Sequence, residues 1–405
     1  MDDAKADTMQ ASSMNDSIDN LRIRFYGTQG SGSIFPSAAE RRAINQYTNV
    51  ELLKHVFDDL SHHSDAEGRI NTTLADVLGG PVNASTITAY LERLELPEPR
   101  IYGGWTTCVH VETADGYDIV FDCGSGFRNC ARELQAKWGA KAERHLYVFG
   151  SHSHLDHTEG FDQAAVCFDP RNRLHIYGNH QFLRALDFNL GIFSRKVPQS
   201  VQGVQTPIFF GVMPATFDAC TIGEIPPERR GRPSLHSAAH PLSEPIRLGG
   251  TTITPFELFH PAPCLGYRIE HGPRAFVFCT DHELWRGDPA HASRPRSLEA
   301  EARVVAHATG ADLVYRDGQY LRAEYDGIMG IGGSGAISRA GWGHSCIEDV
   351  VEMASACRVR LTLIGHHDPN RDWLERNWLD ESMLRRTGDS GHRVEFARAE
   401  TVYDL

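Results

Sequence analysis

Ser151-His152-Ser153-His154-Leu155-Asp156-His157 places three imidazoles and one carboxylate within seven consecutive residues. In extended backbone, side chains two residues apart project to the same side. His152 and His154 can therefore grip one cation, while a turn carrying Asp156 and His157 reaches toward a second. Neutral imidazole suits zinc, iron or manganese, and the carboxylate adds an anionic donor. The chemistry implied is Lewis-acid activation of water for hydrolysis.

Elements on both sides must hold such a cluster in place. The apolar run His145-Leu-Tyr-Val-Phe149 predicts a strand covered on both faces that delivers the motif at its end. Further strands are predicted at Leu21–Tyr26, Thr107–Glu112, Tyr117–Phe121, Thr252–Phe259, Cys264–Glu270, Ala275–Cys279, Ala311–Tyr315 and Arg360–Ile364, from alternation or short apolar runs bounded by turn residues. A helix of about a dozen residues is expected after Gly126, and another from Ser345 to Cys357. Two strand-rich halves with interspersed helices point to an α/β (α+β) fold, a four-layer αββα sandwich with sheet against sheet inside. Between about 36 and 100 the texture turns helical, as in Val50-Glu-Leu-Leu-Lys-His-Val-Phe-Asp-Asp-Leu60 and in Ser85 to Leu96, the latter with Ser85 or Thr86 as its cap. This reads as an insertion serving as a lid or an oligomer contact. A second, irregular insertion is expected over about 180–246, with Pro226 to Pro245 an exposed loop.

With these segments in place, the chain resembles the metallo-β-lactamase superfamily, whose mark is H-x-H-x-D-H after a strand, matched in full from His152 to His157. Within it the chain looks most similar to the RNase Z and cyclic phosphodiesterase branch. The supporting segments, in order, are Arg24-Phe-Tyr-Gly-Thr28, Tyr102-Gly-Gly-Trp-Thr-Thr-Cys108, Phe121-Asp-Cys-Gly-Ser-Gly126, His260-Pro-Ala-Pro-Cys-Leu-Gly-Tyr-Arg268, Thr280-Asp281, Gly341-Trp-Gly-His344-Ser345 and Gly365-His366-His367-Asp-Pro369. The resemblance implies two divalent metal ions, zinc with manganese or iron as alternatives. It implies that His260 joins the first-motif ligands on one metal, that Asp281 bridges both, and that His366 binds the other. His366 is preferred to His367 because it directly follows the strand. Asp156 counts both as ligand and as part of the catalytic set. Asp122 reads equally as the acceptor for a metal-bound imidazole and as a turn residue before Gly124. Asp317 and His344 stand where this branch keeps an acid and a histidine that protonate the leaving group; the competing reading makes His344 a cap for the helix near Ser345.

Two positions depart from the branch: Trp105 stands where relatives carry Asn, and Arg316 where RNase Z carries His before the acid. Gly327 to Gly335 lacks a Lys at P-loop spacing and reads as an active-site loop rather than a phosphate cradle. Arg229-Arg-Gly-Arg232 reads as a solvated loop.

Lys and Arg total 40 against 53 Asp and Glu, a formal net charge of −13 in 405 residues, which repels a polyphosphate chain and favours a small substrate. The 9 scattered cysteines lack the spacing of a disulfide scaffold and suggest a reducing, cytoplasmic setting. No signal peptide or apolar run of about 18 residues is found. Residues 1–20 read as a disordered acidic tail and 21–405 as a single domain with its two insertions. The expected activity is hydrolysis of a small cyclic nucleotide or cyclic sugar phosphate through a two-metal-activated hydroxide, by a protein whose branch suggests a homodimer. The alternatives are a tRNA 3′-end endonuclease, a lactone, thioester or β-lactam hydrolase, and a nucleotide-sequestering module without turnover.

Overall fold

The computed structural model describes residues 20–94, 96, 100–196, 208–225, 238–388 and 391–405. The chain divides into two compact units, one of 1–35, 102–371 and 378–405, the other of 36–101 and 372–377.

The larger unit contains two sheets. Strands β1 (Leu21–Gly27), β2 (Cys108–Thr113), β3 (Asp118–Phe121), β4 (Arg144–Gly150), β5 (Asn172–Gly178), β6 (Thr216–Ile222) and β7 (Ala238–His240) lie in that order, with the last strand of the chain, Val402–Asp404, outside β1. The second sheet begins at one edge with β8 (Ile246–Leu248), β9 (Thr251–Leu258), β10 (Cys264–His271) and β11 (Arg274–Cys279). It continues through β12 (Leu313–Asp317), β13 (Leu361–Gly365) and β14 (Arg393–Phe396); the Val402–Asp404 strand is β15. In each sheet the hairpin-connected strands pair antiparallel, whereas β3 to β7 and β11 to β14 run parallel.

The sheets face each other across an aromatic core. Phe121 on β3 stacks on Phe278 of β11 with centroids 5.3 Å apart, and Phe25 on β1 lies 5.3 Å from Tyr315 of β12. Burying both sheet faces removes several large rings from water, and such pairs add roughly 1 kcal/mol each beyond their burial. Helices close the outer faces. Helix α4 (Phe127–Trp138), numbered after three earlier helices, buries Phe127, Cys130, Ala131, Leu134 and Trp138, a stripe at three- and four-residue spacing. These residues and α5 (His180–Leu190) share one core with the first sheet. Helices α6 (Ser293–Ala308) and α8 (Ile347–Cys357), separated by the short α7 (Arg322–Tyr325), pack over the second. The predicted four-layer αββα sandwich is what is observed.

Sequence reading misses β5, β8, β14 and β15, and it treats the chain from about 180 to 246 as irregular. The described residues of that span supply α5, β6 and β7, and the two strands extend the parallel half of the first sheet. The short Ala238–His240 strand and the polar-apolar mix of Thr216–Ile222 gave no clean period. The Arg229–Arg232 stretch, the loop expected from Pro226 up to 237, and residues 1–19 lie outside the described residues.

The smaller unit is helical, as expected, with α1 (Ala38–His62), α2 (Leu74–Leu78) and α3 (Ala84–Arg93). Helix α3 is capped by Asn83 and not by Ser85 or Thr86; Thr86 sits at the third helical position and completes a reciprocal capping box. The Tyr90 hydroxyl donates to Asp59 at 2.9 Å, joining α3 to α1, and the Trp373 indole donates to the Arg100 carbonyl at 2.7 Å. Helix α1 buries none of its residues and exposes Val50, Leu53 and Phe57. No helix among the described residues is long and apolar enough to cross a membrane.

One buried carboxylate outside the site reports on the fold's acid stability. Asp118 accepts from His110 Nε2 at 2.9 Å, Lys137 Nζ at 2.7 Å and Trp138 Nε1 at 2.8 Å. Burial pushes its carboxyl up, but these donors outweigh it and hold it at about 2. A depressed carboxylate stabilises the fold above its unfolded value, and that contribution is lost as pH falls through the folded value. Asp118→Asn should therefore destabilise the protein by roughly 2 kcal/mol at pH 7. In denaturant titrations the difference from wild type should shrink between pH 4 and pH 2.

Candidate metal centre

Except for His344, which the loop before α8 supplies, the candidate side chains sit where strands end, at one edge of the two sheets. Asp122 follows β3, the 151–157 run follows β4, His260 follows β9, Asp281 follows β11, Asp317 closes β12, and His366 follows β13. Parallel strands bring their carboxyl ends together, which is why residues far apart in sequence meet there.

Asp281 lies at the middle. Its Oδ2 is 3.5 Å from His152 Nε2 and 3.8 Å from His260 Nε2, and its Oδ1 is 3.3 Å from His157 Nε2 and 3.2 Å from His366 Nε2. His154 turns Nδ1 toward His260 Nε2, 3.3 Å away. Asp156 Oδ2 lies 3.2 Å from His366 Nε2 and 3.5 Å from His157 Nε2. Three groups of donors result: His152, His154 and His260 with Asp281 on one side, Asp156, His157 and His366 on the other, and Asp281 and His366 with His344. His152 and His154 stand in extended backbone, and a single 3₁₀ turn over Leu155–His157 then redirects the chain. All seven residues expected as ligands from the sequence are thus brought together.

The surroundings fix the rings. His157 donates through Nδ1 to Asp122 Oδ2 at 2.7 Å, while the Ser151 amide and hydroxyl donate to the same carboxylate, each at 2.7 Å. Asp122 is fully buried and sits at φ +59°, so it is turn residue and imidazole acceptor at once. His260 donates through Nδ1 to the Gly343 carbonyl at 3.0 Å. His366 is held at φ +55°, its amide on the Tyr315 hydroxyl. Left-handed backbone at a residue with a side chain costs on the order of 1–3 kcal/mol, which the surrounding packing must offset. His367 points away, donating to the Ala397 carbonyl at 2.8 Å.

The electrostatics are those of a pocket built for cations. Asp122, Asp156 and Asp281 are gathered with no Lys or Arg ion pair to any of them among the described residues. Burial would raise Asp281, but His366, His157 and His152 hold its carboxyl well below the usual range; burial likewise opposes, and His157 and His366 enforce, a very low Asp156. Burial keeps His152 and His154 below their ordinary values and takes His260 down to about 4. His157 goes the other way: burial lowers it, and Asp156, Asp281 and Asp122 together outweigh burial and raise it. The His152 and His157 Nε2 atoms are buried and lack a hydrogen-bond partner, an arrangement expensive for a polar atom unless a ligand completes it. Orphaned imidazole nitrogens, ionised carboxylates and the lack of Lys or Arg partners among the described residues together fit divalent metal.

Beside this cluster, His344 Nδ1 is 2.9 Å from Asp317 Oδ2 and 4.0 Å from Asp281 Oδ2, its ring stacked 4.8 Å from His366. It does not cap α8, whose N-cap is Cys346. Arg316 is fully buried and pairs with Glu301, which also accepts from His282 Nε2 at 3.0 Å. Trp105 meets Phe35 edge to face, and its carbonyl accepts from the Thr28 and Gln29 amides. The glycine-rich stretch is anchored by Ile331, fully buried with Tyr320, Tyr325 and Cys346.

Several contributors act through backbone and carry no sequence signal of their own. The Ser31 amide donates to Asp156 Oδ2 at 2.7 Å, and a Cβ on Gly30 would overlap the His366 ring.

The chain belongs to the beta-lactamase superfamily: a family profile described as "Beta-lactamase superfamily domain" matches residues 117–367. Among solved structures it is similar to the zinc-bound PqqB of Methylobacterium extorquens, at 12% identity and TM-score 0.50 over 95% of this chain and 100% of that one. It is also similar to the metallo-beta-lactamase fold protein YhfI of Bacillus subtilis, at 14% identity and TM-score 0.47 over 96% and 100%. Human tRNase Z, short form, aligns at 14% identity and TM-score 0.47 over 94% and 98%. At such identities the likeness speaks to fold. No curated protein matches.

Gly30→Ala is expected to displace the His366 imidazole and weaken zinc retention about tenfold or more, read by elemental analysis after dialysis. In the folded His367→Ala protein the zinc content should match wild type.

Proposed function

We propose that the protein is a metal-dependent hydrolase of small phosphodiesters, a cyclic nucleotide or cyclic sugar phosphate being the preferred substrate class. The observation that carries this reading is Asp281, whose two oxygens face two separate imidazole sets while the Asp317–His344 pair stands alongside. His152, His154 and His260 would hold one cation, Asp156, His157 and His366 the second, and Asp281 would fix their separation. Two cations at that position supply Lewis-acid activation of water and neutralise charge on the phosphoryl oxygens.

The chain's own acid does the rest. Burial disfavours a charged His344, but Asp317, bonded to its Nδ1, counters this and favours the protonated imidazole. Asp317 receives Nδ1–H at 2.9 Å, which fixes the ring and leaves Nε2–H to be given to the departing oxygen. Phosphodiester cleavage with an alkoxide leaving group needs that proton. The net charge of −13 favours a small anion over a polynucleotide.

The test is a panel of cyclic nucleotides, cyclic sugar phosphates and precursor tRNA offered to the zinc-loaded protein. Turnover confined to precursor tRNA would replace this reading by tRNA 3′-end processing. His344→Ala should slow hydrolysis of alkyl-leaving diesters by about 10²- to 10⁴-fold with zinc content unchanged. The same substitution should cost far less with bis(p-nitrophenyl) phosphate, whose leaving group departs without protonation. Loss of zinc in that variant would mark His344 as a ligand instead.

A further inference from the structure

Glu283 lies two residues beyond Asp281 and is fully buried, and no Lys, Arg or His pairs with it among the described residues. A carboxylate out of water without a counter-charge is costly unless its oxygens are fully hydrogen-bonded. Here they are. Oε1 accepts from the Tyr325 hydroxyl at 2.5 Å and the Gly341 amide at 2.8 Å, and Oε2 accepts from the Gly343 amide at 2.8 Å.

Those two amides flank Trp342 in the loop that leads directly into His344. The Gly343 carbonyl is the acceptor for His260 Nδ1, and Gly343 sits at φ +95°, where a Cβ would overlap the His260 ring. Meanwhile the Glu283 amide donates to the Phe259 carbonyl at 2.8 Å, fixing the residue before His260. One residue therefore grips His260 from both sides, through its own backbone and through the loop facing that ring.

We infer that Glu283 is a positioning residue that sets both the His260 imidazole, as a metal donor, and the His344 imidazole, as the acid, by clamping the Gly341–Gly343 loop. The inference rests on the proposed roles of His260 and His344. Only a carboxylate supplies acceptors to both amides at once. In Glu283→Gln one of the two positions becomes an NH₂ group facing an N–H, so one end of the loop is released whichever way the amide turns.

The experiment compares wild type, Glu283→Gln and Tyr325→Phe by chelator-competed Co(II) binding, by thermal unfolding, and by kcat and KM on bis(p-nitrophenyl) phosphate. Tyr325→Phe removes a donor to Glu283 and keeps both amide bonds. Glu283→Gln is expected to bind one of two Co(II) equivalents about 10- to 100-fold more weakly, with a lower kcat and little change in KM. Tyr325→Phe should bind Co(II) as wild type does even if its unfolding temperature falls as far. Wild-type Co(II) affinity in Glu283→Gln, or an equal loss in Tyr325→Phe, overturns the inference. If Glu283→Gln does not fold, Glu283→Asp, which keeps the charge but withdraws the oxygens, is expected to show the same Co(II) loss, and wild-type affinity there also overturns it. A wild type that takes up no second Co(II) equivalent would instead refute the two-cation reading beneath it.

Discussion

The buried Asp281 carboxylate is pressed between two groups of imidazoles, with no Lys or Arg ion pair beside it among the described residues. Burying such a charge is costly unless its oxygens are paired, and here the partners are the Thr280 hydroxyl, at 2.8 Å, and the surrounding imidazoles. The rest of the site follows from this constraint. The Asp122 carboxylate steadies the His157 ring, the Ser151 hydroxyl meets His152 Nδ1, the Gly343 carbonyl holds His260, and the Ser31 amide takes part of the charge on Asp156. The contacts to the imidazoles leave their Nε2 atoms facing the pocket, while Ser31 bonds the Asp156 oxygen that also faces His366.

The same economy explains the layering of the acid machinery. His344 is stacked on His366 and bonded to Asp317, so the proposed proton donor is built on the scaffold that shapes the candidate metal pocket. Arg316, where RNase Z carries His, turns away to Glu301 and stabilises the layer behind. Its substitution therefore alters the support of β12 and not the immediate lining of the site.

How much of this the sequence disclosed depends on whether a residue acts through its own side chain or through someone else's backbone. His152 to His157 were legible because four donors are contiguous after an apolar strand. His260, Asp281 and His366 are isolated, and only family likeness linked them. The αββα architecture was readable from the long apolar strands, whereas Thr216–Ile222 and Ala238–His240 were too mixed or too short to show a period. Asn83 lost its cap assignment to nearby Ser85 and Thr86 because several good capping residues stand together. Glu283 and Gly30 had no signature, since one works through two distant amides and the other through the absence of a side chain.

Because the donors outside the 152–157 motif are tied to strand termini, the geometry of the pocket is set by sheet register and not by the length of chain between strands. The helical excursion between β1 and β2 can therefore grow, shrink or change its surface at a closure cost that rises only logarithmically with length. The ion-holding frame is in this way carried by strand termini that a changed helical excursion would leave in register.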